Sequence, residues 1–102
     1  IELTFPATVE LRTVALDIGF DASEDLFEKN NRVKRATLLF SGGHGRTLEF
    51  DDVRGLQEFA VEDSTGRIVE TTSLRVIIDE VYPGTRYDDT CLAEIQVWGV
   101  VP

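Results

Sequence analysis

The stretch Glu80-Val81-Tyr82-Pro83-Gly84-Thr85-Arg86-Tyr87-Asp88-Asp89-Thr90 concentrates the side chains of this chain best suited to ligand chemistry. Two tyrosines offer aromatic faces for the C–H side of a sugar ring. Arg86, Asp88 and Asp89 offer charged, planar hydrogen-bonding groups for its hydroxyls. The same residues also suit a shaped turn, with Pro83-Gly84 at the corner and the tyrosines packed down as anchors. A second loop is expected beside this one. If the strands ending at Phe20 and Val81 run in the same direction, Asp25, Phe27, Asn30, Asn31 and Arg32 arrive near Tyr82, Arg86 and Tyr87. Asn30 and Arg32 would then form the rim of a binding surface. Phe27, an aromatic on a short helix, fits better as a plug over the core.

Catalytic chemistry has less to work with. The one histidine, His44, lies in Ser41-Gly42-Gly43-His44-Gly45, an exposed hairpin tip that holds an imidazole poorly. Cys91 opens an apolar strand and reads as a buried, inert thiol. No phosphate-cradling glycine loop or metal-hydrolase motif is present, and no spacing singles out a carboxylate pair among the 19 acidic residues. Glu94, after Asp88, Asp89 and Thr90, reads either as a ligand to a hard cation such as Ca²⁺ or as an outward-facing strand glutamate. Trp98 shares the face of Glu94 and Gln96. It is a stacking platform, an amphipathic cover residue, or a contact to sequence before Ile1.

The 102 residues suffice for one domain spanning 1–102, and 42% of them are hydrophobic, enough for a core. A formal net charge of −9 repels phosphate backbones and anionic lipid, so neither nucleic acid nor membrane insertion is expected. No apolar run approaches the roughly 20 residues of a membrane-spanning helix. A single cysteine excludes an internal disulfide and a cysteine-rich zinc site. The first residue is Ile and Met is absent, so context is expected to be missing at the N-terminus.

Period-two alternation runs through most of the chain, the pattern of half-buried strands. Strands are expected over Ile1 to Phe5, broken at Pro6, and over Val9 to Phe20, with Val14, Leu16, Ile18 and Phe20 on one face and Ala15, Asp17 and Gly19 on the other. Val33 to Phe40 follows, with Ala36, Leu38 and Phe40 inward and Lys34 on their side. Thr47 to Phe50, Gln57 to Val61, Ser73 to Val81 and Cys91 to Val100 complete the set, with a polar turn from Glu62 to Gly66. Asp21 to Asn30 alone suggests helix, with Asp21 as cap and Glu24 three residues on. Seven or so strands, almost without helix, predict an all-β sandwich.

Three segments together resemble a known family. They are Asp79 to Ile95, Asn30 to Ser41, and Leu48-Glu49-Phe50-Asp51-Asp52 with Gly55-Leu56-Gln57-Glu58-Phe59. The first is similar to the C-terminal signature of discoidin-like, galactose-binding-like domains, and all three resemble the branch of NADase-type glycan-binding domains. The resemblance implies an all-β, jelly-roll, antiparallel β-sandwich, truncated at the N-terminus relative to the family. It further implies a non-catalytic carbohydrate-binding module of a bacterial protein in an extracellular or cell-envelope setting, partnered by a glycan or cell-wall carbohydrate. Mapped onto this chain, the ligand residues are Asn30, Arg32, Tyr82, Arg86, Tyr87, Asp88 and Asp89. A structural Ca²⁺ would be held by Glu94 and the carbonyl of Ala93. Strands absent before Ile1 would leave a sheet edge open, to be covered by another chain or a missing segment. The alternative is a protein-interaction or structural β-sandwich domain of a larger protein.

Overall fold

The computed structural model describes residues 1–62, 66–90 and 92–101. Residues 63–65 of the expected polar turn, and Cys91 with its expected inert thiol, lie outside the described residues. Six strands and one short helix follow in the order β1 (Glu2–Asp17), α1 (Glu24–Lys29), β2 (Arg32–Phe40), β3 (Gly45–Glu49), β4 (Gln57–Ala60), β5 (Val69–Tyr82) and β6 (Glu94–Val100). All strand pairings are antiparallel, in the order β3-β2-β5-β1-β4, with β6 also pairing β1. Glu10 faces both Glu70 of β5 and Val100 of β6, so these strands flank β1 on opposite edges. The expected all-β antiparallel sandwich is present, curled nearly into a barrel. Where β3 and β4 approach, Arg46 donates to the Ala60 carbonyl at 2.8 Å. Gln57 also exchanges hydrogen bonds with the Asp51 backbone at 3.0 and 2.8 Å.

Simple alternation misleads where loops cover the outer face and where the register slips. Val14, Leu16 and Ile18 are buried as expected, but Ala15 and Asp17 on the opposite face are buried too. Phe20, expected inward, lies beyond the end of β1 and is 40% exposed. Pro6 does not break the first strand. The pairing of β1 with β5 slips between Thr4 and Val9, and the proline sits within that irregularity, where no ladder donor is required. The two expected N-terminal strands are therefore one. In β2, register shifts between Val33 and Ala36 reset the alternation, so Val33 is buried while Lys34 turns out to solvent, against the expectation.

The core joins Leu11, Leu16, Val33, Leu38, Phe50 and Leu74 with their neighbours from β1, β2, β3 and β5, while β4 packs against it through Phe59 and β6 through Ile95 and Val97. Phe27 plugs one end, as expected. The helix cap is Ser23, whose hydroxyl accepts from the Leu26 amide at 3.1 Å; Asp21, the expected cap, pairs with Arg54 instead. His44 is exposed in the β2–β3 turn, where Gly43 takes a positive φ of 85°.

Candidate functional site

The loop after β1 and the loop after β5 meet at one end of the sheet. Arg32 opposes Tyr82 in the β2–β5 ladder, which brings the end of α1 under the turn that follows β5. The amides of Thr85, Arg86 and Tyr87 donate to the carbonyls of Glu28 and Lys29, at 3.1, 3.2 and 2.8 Å. These carbonyls close the end of α1, so the loop satisfies acceptors that a helix C-terminus leaves open. Gly84 makes the approach feasible. A Cβ there would lie 2.6 Å from the Asn30 carbonyl carbon and strike the Lys29 oxygen.

Asn31, 5% exposed, holds the loop from behind. Its carboxamide donates to Asp88 Oδ1 at 2.9 Å and Thr90 Oγ1 at 3.3 Å, and accepts from the Gly84 amide at 2.8 Å. Its own amide donates to the Asp89 carbonyl at 2.9 Å. Asn31 lies near the loop as its sequence position suggests, although it is not among the expected ligand residues. Its role as the latch depends on pairing with residues more than fifty positions away.

The expected ligand residues do not converge on one point. Arg86 and Tyr87 form an exposed pair, with the guanidinium 5.5 Å from the ring centroid and Tyr87 42% exposed. Asp88 and Asp89 are exposed beside them. Tyr82 is half-buried and its hydroxyl donates to the Phe50 carbonyl at 2.7 Å. Its ring lines a cleft of about 390 Å³ with Lys34, Arg35, Glu49, Asp51 and Glu80, and the Lys34 ammonium lies 5.5 Å from the ring centroid.

Two expectations are corrected. Arg32 is not a rim residue free to bind; it is 8% exposed. Its Nε and one terminal nitrogen form a bidentate pair with Asp52, both bonds at 2.8 Å. Its other terminal nitrogen donates to the carbonyls of Phe27, Glu28 and Asn30. The Asp52 carboxylate raises the guanidinium pKa further, against the opposing effect of burial. Asn30 is likewise buried, and its side chain donates to the Leu26 carbonyl at 2.8 Å, closing α1. Both residues build the platform on which Arg86 and Tyr87 stand.

The expected Ca²⁺ ligands fall at another corner. Glu94 opposes Asp17 across the β1–β6 ladder, and the Ala93 amide donates to the Asp17 carbonyl at 3.0 Å. Among the described residues no three His, Cys, Asp or Glu side chains converge as a metal-binding group. Glu94 and the Ala93 carbonyl fall far short of the roughly 6–8 oxygens Ca²⁺ requires, so these residues do not fit the ion by themselves. Asp17 is 7% exposed, and among the described residues its Oδ1 has no hydrogen-bond partner. Burial pushes its pKa up to about 6; the Asp21 carboxyl adds to this, and the Gly55 amide opposes it.

The comparisons with known proteins agree with this architecture. The profile of the NAD glycohydrolase translocation F5/8 type C domain family matches residues 1–98. The chain belongs to that family. The fold is similar to the NMR structure of the Streptococcus pyogenes NAD+-glycohydrolase translocation domain, with a TM-score of 0.67 and 14% identity, over 95% of this chain and 83% of that one. No curated protein matches the chain. The expected discoidin-like membership and sandwich fold are thus borne out. The family is named for a translocation domain and not for the glycohydrolase activity itself.

Proposed function

We propose that the chain is a non-catalytic carbohydrate-binding module that directs a secreted or cell-envelope bacterial protein to a glycan surface. The observation that carries this reading is the exposed Arg86–Tyr87 pair on a loop fixed from behind by Asn31 and the α1 carbonyls. A flat aromatic face beside a guanidinium and two carboxylates suits a sugar ring: stacking on one side, hydroxyl hydrogen bonds on the other. The pair stands on a projecting loop and not inside a cleft, so a single module binds weakly and several act by avidity. The translocation family supports an extracellular setting. Glycan-array binding of the 102-residue chain tests the reading. Tyr87→Ala should lower binding at least about tenfold, the equivalent of about 1.4 kcal/mol of stacking, without changing the fold. Unchanged binding in Tyr87→Ala would overturn it.

A second reading, a protein-interaction or structural domain, is favoured by the far edge of the sheet. Among the described residues β6 pairs only with β1, and Trp98 and Val100 are exposed on it. Under this reading another chain or a further segment adds a strand there. Rapid amide exchange along β6 in the isolated chain, slowed by the partner, is the expected signature. Equal protection of β6 and β5 in the isolated chain would count against it.

A further inference from the structure

Asp17, whose Oδ1 has no hydrogen-bond partner among the described residues, is one wall of a pocket of about 450 Å³ at the corner where β1 ends and β6 begins, lined also by Phe20, Asp21, Leu92 and Glu94. We propose that this pocket binds an organic cation, the ammonium or guanidinium group of a small ligand. The Asp17 carboxyl shares a hydrogen bond with Asp21 and accepts one from the Gly55 amide, but among the described residues its Oδ1 has no donor, a costly state for a buried carboxylate oxygen. The charges around it have the right sign. Asp21 is paired with Arg54, and Glu94 accepts only the neutral Gln96 amide at 2.7 Å, so Asp17 and Glu94 lack a cationic partner among the described residues. The exposed Phe20 ring supplies an apolar wall whose π face attracts a cation.

The shape of the pocket selects an organic cation over a metal ion. Among the described residues the carboxylates do not converge as a metal-binding group, and the space far exceeds that of a bare ion. Spread acids with an aromatic wall suit a planar or tetrahedral nitrogen cation carrying an apolar stem. The pocket is lined by none of the Arg86–Tyr87 platform, so this inference stands apart from glycan binding.

The test is an ¹H–¹⁵N titration of the 102-residue chain with agmatine, with its neutral analogue N-butylurea, and with CaCl₂. Agmatine should shift the amides of Gly19, Phe20 and Glu94 saturably, with a dissociation constant in the millimolar range, roughly 1–10 mM. N-butylurea should not. Asp17→Asn should weaken agmatine at least about tenfold and Phe20→Ala about threefold, each with an otherwise native spectrum. Should Asp17→Asn perturb the fold, Glu94→Gln on the strand's outer face provides the same charge test and should weaken agmatine about threefold. The inference is overturned by absence of saturation up to about 100 mM agmatine, or by equal shifts from N-butylurea. Full agmatine affinity in both charge-removing variants would also overturn it, as would saturation of the same amides by Ca²⁺ at lower concentration than agmatine.

Discussion

Replacing Asn31 with Ala should unlatch the candidate glycan loop and destabilise the whole domain. The side chain makes three hydrogen bonds across the junction between β2 and the 83–90 loop. Losing the acceptor of the half-buried Gly84 amide costs about 1–2 kcal/mol, because little water can replace it. Losing the donor to Asp88 costs about 1 kcal/mol, discounted because that carboxylate is exposed, and the longer contact to Thr90 adds about 0.5 kcal/mol. The sum is about 3 kcal/mol. With a urea slope of about 1–1.5 kcal/mol/M for a domain this size, the unfolding midpoint should fall by about 2–3 M. The backbone bonds from Thr85, Arg86 and Tyr87 to α1 remain, so the loop loosens without detaching. Glycan binding should therefore fall although no proposed ligand-contacting residue has changed. Asn31→Asp separates the contributions: it keeps an acceptor for Gly84 but sets a negative charge against Asp88. It should be destabilising at pH 7 and recover partly as the pH falls into the carboxylate range. A loss below about 0.5 kcal/mol in Asn31→Ala would refute the latch.

Arg32→Lys should cost about 3 kcal/mol in chemical denaturation, since one ammonium cannot replace a bidentate carboxylate pair together with three carbonyl contacts. Gly84→Ala should cost about 2 kcal/mol and broaden the amide resonances of residues 84–87, because its methyl group has no room against the Asn30 backbone. Asp17 is held at about 6 in the folded chain against an ordinary 3.8, so the folded state binds the extra proton. Stability should fall as pH rises from about 4 through 6 and stay lower above, by about 1–3 kcal/mol. The hydrogen bond that raises Asp17 also lowers Asp21, which limits the effect. Asp17→Asn should flatten that profile and stabilise the chain at pH 8; an unchanged slope in urea titrations at pH 4, 6 and 8 would contradict the assignment to Asp17.

The strands were legible because their alternation is local. Leu74 and Val76 of β5, like Leu38 and Phe40 of β2, stand two apart and are buried, although Ile77 and Ile78 further along β5 are both exposed. What alternation could not reveal was what covers the outer face. The closed sheet buries its inner face, and the segments carrying Asp21 and Gly55 pack on the outer face at Asp17, so Ala15 and Asp17 are buried although their spacing sets them on the face opposite Val14 and Leu16. Bulges were equally hidden: nothing in Val33-Lys34-Arg35-Ala36 announces the slip that turns Lys34 out. The Tyr82–Thr90 loop was legible from composition, and its meeting with α1 from strand direction. Arg32 was not, because its chemistry depends on Asp52, a carboxylate twenty positions away that only the β3–β4 connection delivers. An arginine next to two asparagines looks the same in sequence whether it binds a ligand or holds the fold.

That division of labour makes the two roles experimentally separable. Asn31, Arg32 and Gly84 lie behind the loop, with their polar groups satisfied within the chain, so changes there should act on stability and binding together. Arg86 and Tyr87 lie in front, exposed, with their backbone amides already bonded to Lys29, so side-chain truncation there leaves the supporting bonds intact. Because the ordering of the loop is completed during folding, binding of a ligand there would incur little further conformational entropy, so even a shallow stacking surface would suffice for measurable affinity. If the loop were instead a purely structural turn, Arg86→Ala and Tyr87→Ala would be silent in every binding assay and nearly neutral in denaturation. Binding lost with stability retained in these two variants is the pattern that separates a recognition surface from a shaped corner of the fold.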